Sequence, residues 1–199
     1  VTADEKIIRP ATREDLDKLP PTWRGEIIDG ILYAFPRPRP IHIGIEGAVA
    51  FDVYGPFHRG QGGPGGWWIL TEPGVRVPRS AEFSPDVAGW QRERLPQRPL
   101  QDVPITVVPD WICEVLSPST RSYDLGVKRR FYAEIGVGHL WYIHPEDRLL
   151  TVSKLVDGKW LELGVHRPDE RVRAEPFDAV EIDLAAWWEG APAENEASE

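Results

Sequence analysis

The sequence predicts an α+β domain: a mixed β-sheet flanked by helices, with extra β-hairpins attached. Three observations predict it. Short apolar runs bounded by Gly, Pro and Asp recur along the chain, as strands require. One well-marked helix, 121–135, lies between two of the most apolar runs, "WICEVL" and "HLWYIH". The 199 residues show no internal repeat and suffice for one full core. The domain is therefore expected over 1–190, with 191–199 an acidic, disordered tail rich in small residues.

Taken in order, residues 12–19 read as a short helix opening at Thr12, with Glu14 and Asp15 in its first turn and Pro20-Pro21 after it. "GEIIDGILYAF" is a hairpin turning at Asp29-Gly30, broken by "PRPRP" at 36–40. A helix from His42 to about Phe57 carries Ile45, Val49 and Val53 on one stripe, against the cost of Gly44 and Gly47. "RGQGGPGG", 59–66, is a loop; with no Gly-Lys-Ser/Thr and no helix after it, it is not a phosphate cradle.

"WWILTEPGVRVP" reads as a second hairpin turning at Pro73-Gly74, and "FSPDVAGW" as another strand. A proline-rich excursion leads to the strand 111–116 and then to the central helix, closed by Gly136. "HLWYIH" is a strand, "RLLTVSKL" and "KWLELGV" pair across Asp157-Gly158, and "FDAVEIDLAAWW" supplies a last strand and a helical turn.

Composition narrows the function classes. No apolar run approaches the ~20 residues needed to span a bilayer, and "VTADEKIIRP" lacks the layout of a secretory signal, so a cytoplasmic protein is expected. The single cysteine, Cys113, reads as a buried thiol on a strand and excludes an internal disulfide framework. A net charge of −9 argues against broad non-specific nucleic-acid binding. Basic residues nevertheless gather at Arg37/Arg39, Arg76/Arg79, Arg92/Arg94/Arg98 and 128–130, each explicable as a solvated face.

Glu114 is the anomaly. In a strand, Ile112, Glu114 and Leu116 share one face and Trp111, Cys113 and Val115 the other, so a carboxylate stands among residues that bury on both sides. Burying it unpaired costs several kcal/mol or forces protonation. Lys128 lies on the helical stripe of Leu125, Phe131, Tyr132 and Ile135 and must point inward, with Asp124 one turn earlier. A structural ion pair explains these three residues as well as a site does. Asp86, after Pro85 at the start of an apolar strand, tilts the balance: beside Glu114 it would make a hard-oxygen site suited to Mg²⁺.

A proline-aspartate opening one strand, an acid on the next and then a lysine resembles the PD-(D/E)XK nuclease superfamily. Its usual lysine position, two after the second acid, is Leu116 here. The stretch "PDVAGW … PDWICEVLSPSTRSYDLGVKRRFYAEIGVGHLWYIHP" is similar to the Uma-two restriction-endonuclease family, in which the lysine has moved to the following helix. The resemblance covers roughly 20–185 and is densest over 84–145.

It implies a restriction-endonuclease-like core with Asp86, Glu114 and the Val115 backbone carbonyl as metal ligands, Lys128 as the catalytic lysine, and Asp124 holding it or the water. His42 matches the histidine that opens the family's early helix, and Glu46, one turn on, is a candidate further acid. His144 departs from the family's Asp-Pro and reads as a strand-end residue. The expected function is a Mg²⁺-dependent endonuclease (Mn²⁺ substituting) that hydrolyses phosphodiesters in DNA, with a homodimer implied by the family. A catalytically silent protein on the same fold, with a binding or assembly role, is the alternative.

Overall fold

Residues 9–99 and 104–188 are described by the structure, a computed structural model. The expected acidic tail, 191–199, lies outside the described residues.

The chain opens with α1 (Arg13–Asp17), whose Asp15 carboxylate accepts from the Thr12 N–H at 2.8 Å. The hairpin β1 (Trp23–Ile28) and β2 (Ile31–Pro36) follows. Its turn holds Asp29 and Gly30 at φ of 53° and 74°, the left-handed pair that matches strand twist. Helix α2 (Pro40–Val53) begins two residues earlier than its apolar stripe implies, with Pro40 in its first turn, and runs into a π-helical turn, Tyr54–His58.

Next come β3 (Trp67–Thr71), β4 (Val75–Val77), β5 (Ser80–Phe83), β6 (Val87–Gln91) and β7 (Trp111–Val115). The central helix is α3 (Arg121–Tyr123), a π-helical turn (Asp124–Lys128) and α4 (Arg129–Ile135), closed by Gly136 at φ 85°. Strands β8 (His139–His144), β9 (Leu149–Val156), β10 (Lys159–His166), β11 (Arg171–Val172) and β12 (Ile182–Asp183) complete the sheets, followed by a 3₁₀ turn at Leu184–Trp188.

A six-stranded sheet in the order β10-β9-β8-β7-β6-β3 forms the centre, antiparallel except for β7–β8. Parallel pairing needs a crossover, and α3–α4 supplies it. A second sheet, β2-β1-β5-β4, stands beside it. One expected pairing fails. The apolar runs flanking Pro73-Gly74 do not form a hairpin: β3 pairs with β6, whereas β4 pairs with β5 in the other sheet. Pro-Gly there marks a passage between sheets, and the tight turn falls at Arg79, φ 77°.

The two faces of the central sheet carry separate apolar clusters, as strand alternation dictates. Trp111, Cys113 and Val115 of β7 pack with Ile45, Val49 and Val53 of α2, while Ile112 packs with Phe131 and Tyr132 of α4. On the α2 face, the Phe177 ring lies 4.6 to 5.6 Å from those of Phe57, Trp111, Trp67 and Trp141. Gly89 on β6 makes room for this aromatic layer: a Cβ there would meet Ile69 at 3.0 Å and Trp67 and Trp111 at 3.2 Å. Among the described residues, no helix is long and apolar enough to cross a membrane.

Phe177→Ala is expected to lower the unfolding free energy by about 3–5 kcal/mol in a urea titration. Phe51→Ala, at a side chain 80% exposed, should fall within about 0.5 kcal/mol of wild type.

Candidate active site

Register brings the first two carboxylates together. Val87 of β6 pairs with Cys113 of β7, so Asp86, the residue before β6, comes beside Glu114 at the end of the ladder. Asp86 also takes up an edge group of the neighbouring strand: its Oδ2 accepts from the Val115 N–H at 2.8 Å. Both carboxylates are 1% exposed. They look to opposite sides. Glu114 belongs to the face covered by α3–α4, and Asp86 meets residues of α2 and β1.

On the α3–α4 side stands Lys128, 2% exposed. Its Nζ lies 2.7 Å from Glu114 Oε1, 3.4 Å from Glu26 Oε1 and 3.6 Å from Asp124 Oδ1. The same Glu114 oxygen accepts from Tyr132 Oη at 2.5 Å, and Tyr123 Oη donates to Glu26 Oε2 at 2.7 Å. The π-helical turn spans Asp124 to Lys128, and its wider coil sets both side chains inward. Burial lowers the Lys128 pKa, but the carboxylates around it outweigh burial and leave it above the ordinary lysine range. Lys128 is therefore a fixed cation and not a general base.

On the α2 side, His42 and Glu46 lie one turn apart on the inward stripe. With Asp86 they place one nitrogen and two oxygen ligand atoms within 4.8 Å of one another, all buried. The His42 Nε2 is 3.2 Å from Asp86 Oδ2, within ion-pair reach, and among the described residues Nδ1 has no hydrogen-bond partner. A buried imidazole beside two carboxylates suits a divalent cation. Arg24 of β1 completes this side, its Nη1 3.3 Å from Asp86 Oδ1 and 3.4 Å from Glu72 Oε1.

The charges do not balance. Five buried carboxylates, Glu26, Glu46, Asp86, Glu114 and Asp124, face two permanent cations, Arg24 and Lys128. The protonation equilibria show the strain. Burial pushes Glu46 up to about 7, helped by repulsion from Asp86 and Glu72. Burial likewise drives Glu114 well above the carboxylate range, with Lys128 pulling back and Asp86, Asp124 and Glu26 pushing further. Asp86 goes the other way: burial raises it, but His42, Arg24 and Lys128 more than offset this and hold it below the usual range.

The residues expected from sequence thus fall into two neighbouring groups. Glu114, Lys128 and Asp124 meet directly; Asp86 joins His42 and Glu46 across the sheet end. Val115 contributes its N–H to Asp86. His144 bonds Thr151 at 3.2 Å at the strand end, and Cys113 is a buried free thiol. Sequence reading missed Glu26, Arg24, Tyr123 and Tyr132 as site residues. Alternation along "WRGEII" puts Trp23 and Gly25 opposite Arg24 and Glu26, which is a signal for two same-face polar residues but not for their partners.

A sequence-family profile described as "Putative restriction endonuclease", that of the Uma-two family, matches residues 13–185. Comparison with curated proteins finds no match. Among solved structures, the fold is similar to one described as "a putative nuclease belonging to DUF820 from Anabaena variabilis", with a TM-score of 0.69 and 19% identity over 90% of this chain and 98% of that one. This likeness shows that the two chains share the α+β architecture. With the profile spanning most of its length, the chain belongs to the Uma-two restriction-endonuclease family.

Proposed function

We propose that the protein is a metal-dependent endonuclease that hydrolyses phosphodiester bonds, with DNA as its substrate. The observation that carries this reading is the charge imbalance among the described residues: five buried carboxylates against two permanent cations, with His42, Glu46 and Asp86 bringing ligand atoms within 4.8 Å of one another. Protons relieve part of it, as the raised Glu46 and Glu114 show, and a divalent cation would relieve it with the carboxylates ionised, where one without a partner costs several kcal/mol. His42, Glu46 and Asp86 would hold the ion; for Glu114 and the Val115 carbonyl to join them, as the sequence leads one to expect, the Glu114 carboxylate would have to leave Lys128 and Tyr132. The expected ion is Mg²⁺, and an imidazole among the ligands makes Mn²⁺ the better fit.

When bound, such an ion supplies a more acidic water and a counter-charge for the phosphodiester. The chain's own residues do the rest. Lys128, held cationic by Glu114, Glu26 and Asp124, provides fixed positive charge for a developing negative one. A cavity of about 10 Å³, the volume a single water centre needs, is lined by Arg24, Glu26, Asp124 and Lys128. Asp124 and Glu26 can orient a water there and accept its proton; burial pushes Asp124 above its usual range, toward a proton-accepting role.

One observation favours a second reading, a catalytically silent nuclease fold with a binding or assembly role. Lys128 and Tyr132 both bond the same Glu114 oxygen, as a finished structural network would. Such a network leaves Glu46 and His42 unexplained, so the endonuclease reading accounts for more of the site.

Calorimetric titration decides between them. Wild type should bind Mn²⁺ more tightly than Mg²⁺, and Asp86→Asn should abolish both; equal, negligible heats in the two proteins would sink the metal site. In a plasmid-cleavage assay with Mn²⁺, Asp86→Asn and Glu114→Gln should each lower the rate by about 10²-fold or more.

Lys128→Met should destabilise the fold by about 3–5 kcal/mol at pH 8, because three carboxylates lose their shared cation. Glu114 already titrates above its unfolded value and would rise further, so its neutral form stabilises the fold at low pH and that gain is lost as pH rises. The deficit against wild type should therefore shrink from pH 8 toward pH 5 in urea titrations.

A further inference from the structure

Arg24 is held in an unusual way for a half-buried arginine. Among the described residues its contacts run through one nitrogen, Nη1, shared between Asp86 at 3.3 Å and Glu72 at 3.4 Å. Charge-assisted N–H···O bonds in good geometry are about 2.7–2.9 Å, and guanidinium–carboxylate pairs are commonly bidentate. Both contacts here are long and single. The two partners also differ: Asp86 is 1% exposed and Glu72 is 50% exposed, with Arg24 itself 24% exposed between them. Arg24 therefore stands at the site's boundary, with one end of its range inside and the other in solvent.

Two cations want the same carboxylate. Asp86 is one of the three groups that converge with His42 and Glu46, and an ion among them would repel a guanidinium from Asp86 Oδ1. Glu72 remains as a second anchor at the rim. Arg24 also lines the small cavity that Lys128 and Asp124 line, so a displaced guanidinium stays beside the place where the chemistry is proposed. An arginine fork is the side chain best matched to two phosphate oxygens, and a loosely held one can reorient toward them at little cost.

We propose that Arg24 is an exchangeable counter-ion of the site: it neutralises Asp86 in the metal-free protein and, once a divalent cation takes Asp86, turns to clamp a backbone phosphate of the nucleic-acid substrate. This rests on the endonuclease reading and adds to it a phosphate-binding residue and an order of events. Metal loading comes first and releases the arginine that grips the substrate. Metal and nucleic acid then bind cooperatively, because each removes a cost that the other would meet alone.

The test compares wild type, Arg24→Gln and Arg24→Lys, with thermal unfolding to confirm that each is folded. The first measurement is Mn²⁺ titration without nucleic acid. Arg24→Gln, which no longer competes for Asp86, should bind Mn²⁺ about three-fold or more tightly than wild type, and Arg24→Lys close to wild type.

The second measurement is the affinity for a labelled DNA duplex of arbitrary sequence, followed by fluorescence anisotropy over a range of salt, once in Ca²⁺ and once in EDTA. A residue that contacts one phosphate contributes about one unit to the slope of log affinity against log salt. In Ca²⁺ the Arg24→Gln slope should be shallower than wild type by about one unit, with Arg24→Lys restoring it; in EDTA the slopes of wild type and Arg24→Gln should coincide.

Weaker Mn²⁺ binding by Arg24→Gln would overturn the proposal, since Arg24 would then be organising Asp86 instead of competing for it. So would a slope in Ca²⁺ that Arg24→Gln leaves unchanged, or one that it lowers equally in EDTA. Should Arg24→Gln fail to fold, Arg24→Lys decides in its place: a loss of Mn²⁺ affinity on a change that keeps the charge assigns Arg24 a structural role and overturns the proposal. Failure of the endonuclease reading is separate and visible in wild type alone, as an absence of divalent-cation binding.

Discussion

The contact between Lys128 Nζ and Glu114 Oε1, 2.7 Å long, is the interaction on which the arrangement turns. An ammonium 2% exposed survives in its charged form only among carboxylates, and it has three. Each comes from a different place: Glu114 from the middle of the central sheet, Asp124 from the lysine's own π-helical turn, and Glu26 from β1 of the second sheet. One side chain thus ties the crossover helix to the central sheet and the second sheet to both. Tyr132 and Tyr123 complete the network by donating to Glu114 and Glu26, so the polar groups lie inside the apolar face without being abandoned by it.

That network explains which features could be read from sequence and which could not. The alternation in "WICEVL" placed Glu114 on an inward face, and helical periodicity placed Lys128 opposite it; both are local patterns, and the structure follows them. The turns at Asp29-Gly30 and Asp157-Gly158 were equally local. Glu26 and Arg24 were beyond this kind of reading. Their partners lie 102 residues away at Lys128 and 62 residues away at Asp86, and nothing in "WRGEII" distinguishes them from solvent-facing charges. The false hairpin at Pro73-Gly74 has the same origin. Pro-Gly between apolar runs signals a turn, but the first run joins the later strand β6, and the second turns tightly at Arg79 into β5, which pairs with the distant β1.

His42 and Glu46 occupy an intermediate position. Spacing of four put them on one face of α2, and that face packs on the central sheet, so their burial follows from the apolar stripe around them. Their convergence on Asp86 depends on where β6 begins. Asp86 precedes the ladder and so is free of strand alternation, which lets it take the Val115 N–H from one side and meet α2 on the other. Glu114, one strand over and inside the ladder, has no such freedom and is bound to the α4 face. The sheet end therefore separates a half in which one lysine is shared by three carboxylates from a half in which Arg24 stands beside Asp86, His42 and Glu46. Burial first, and then repulsion from Asp86 and Glu72, raise Glu46 to about 7 on the latter side.

The net charge of −9 looks ill suited to a substrate made of phosphates, yet a total over the whole chain does not describe one site. At physiological ionic strength exposed charges are screened over about 8 Å, so the field at a buried site is set by its own groups. Among the described residues those are five buried carboxylates and two cations, Arg24 and Lys128, which both line one small cavity. In the chain, Arg39 is the residue before α2, three positions from His42, and Arg37 follows the end of β2, where its Nε donates to the Pro21 carbonyl at 2.8 Å. Under the endonuclease reading proposed above, the five buried carboxylates would repel a phosphate until a divalent cation offset them, so the acidity of the site would act as a condition on substrate binding.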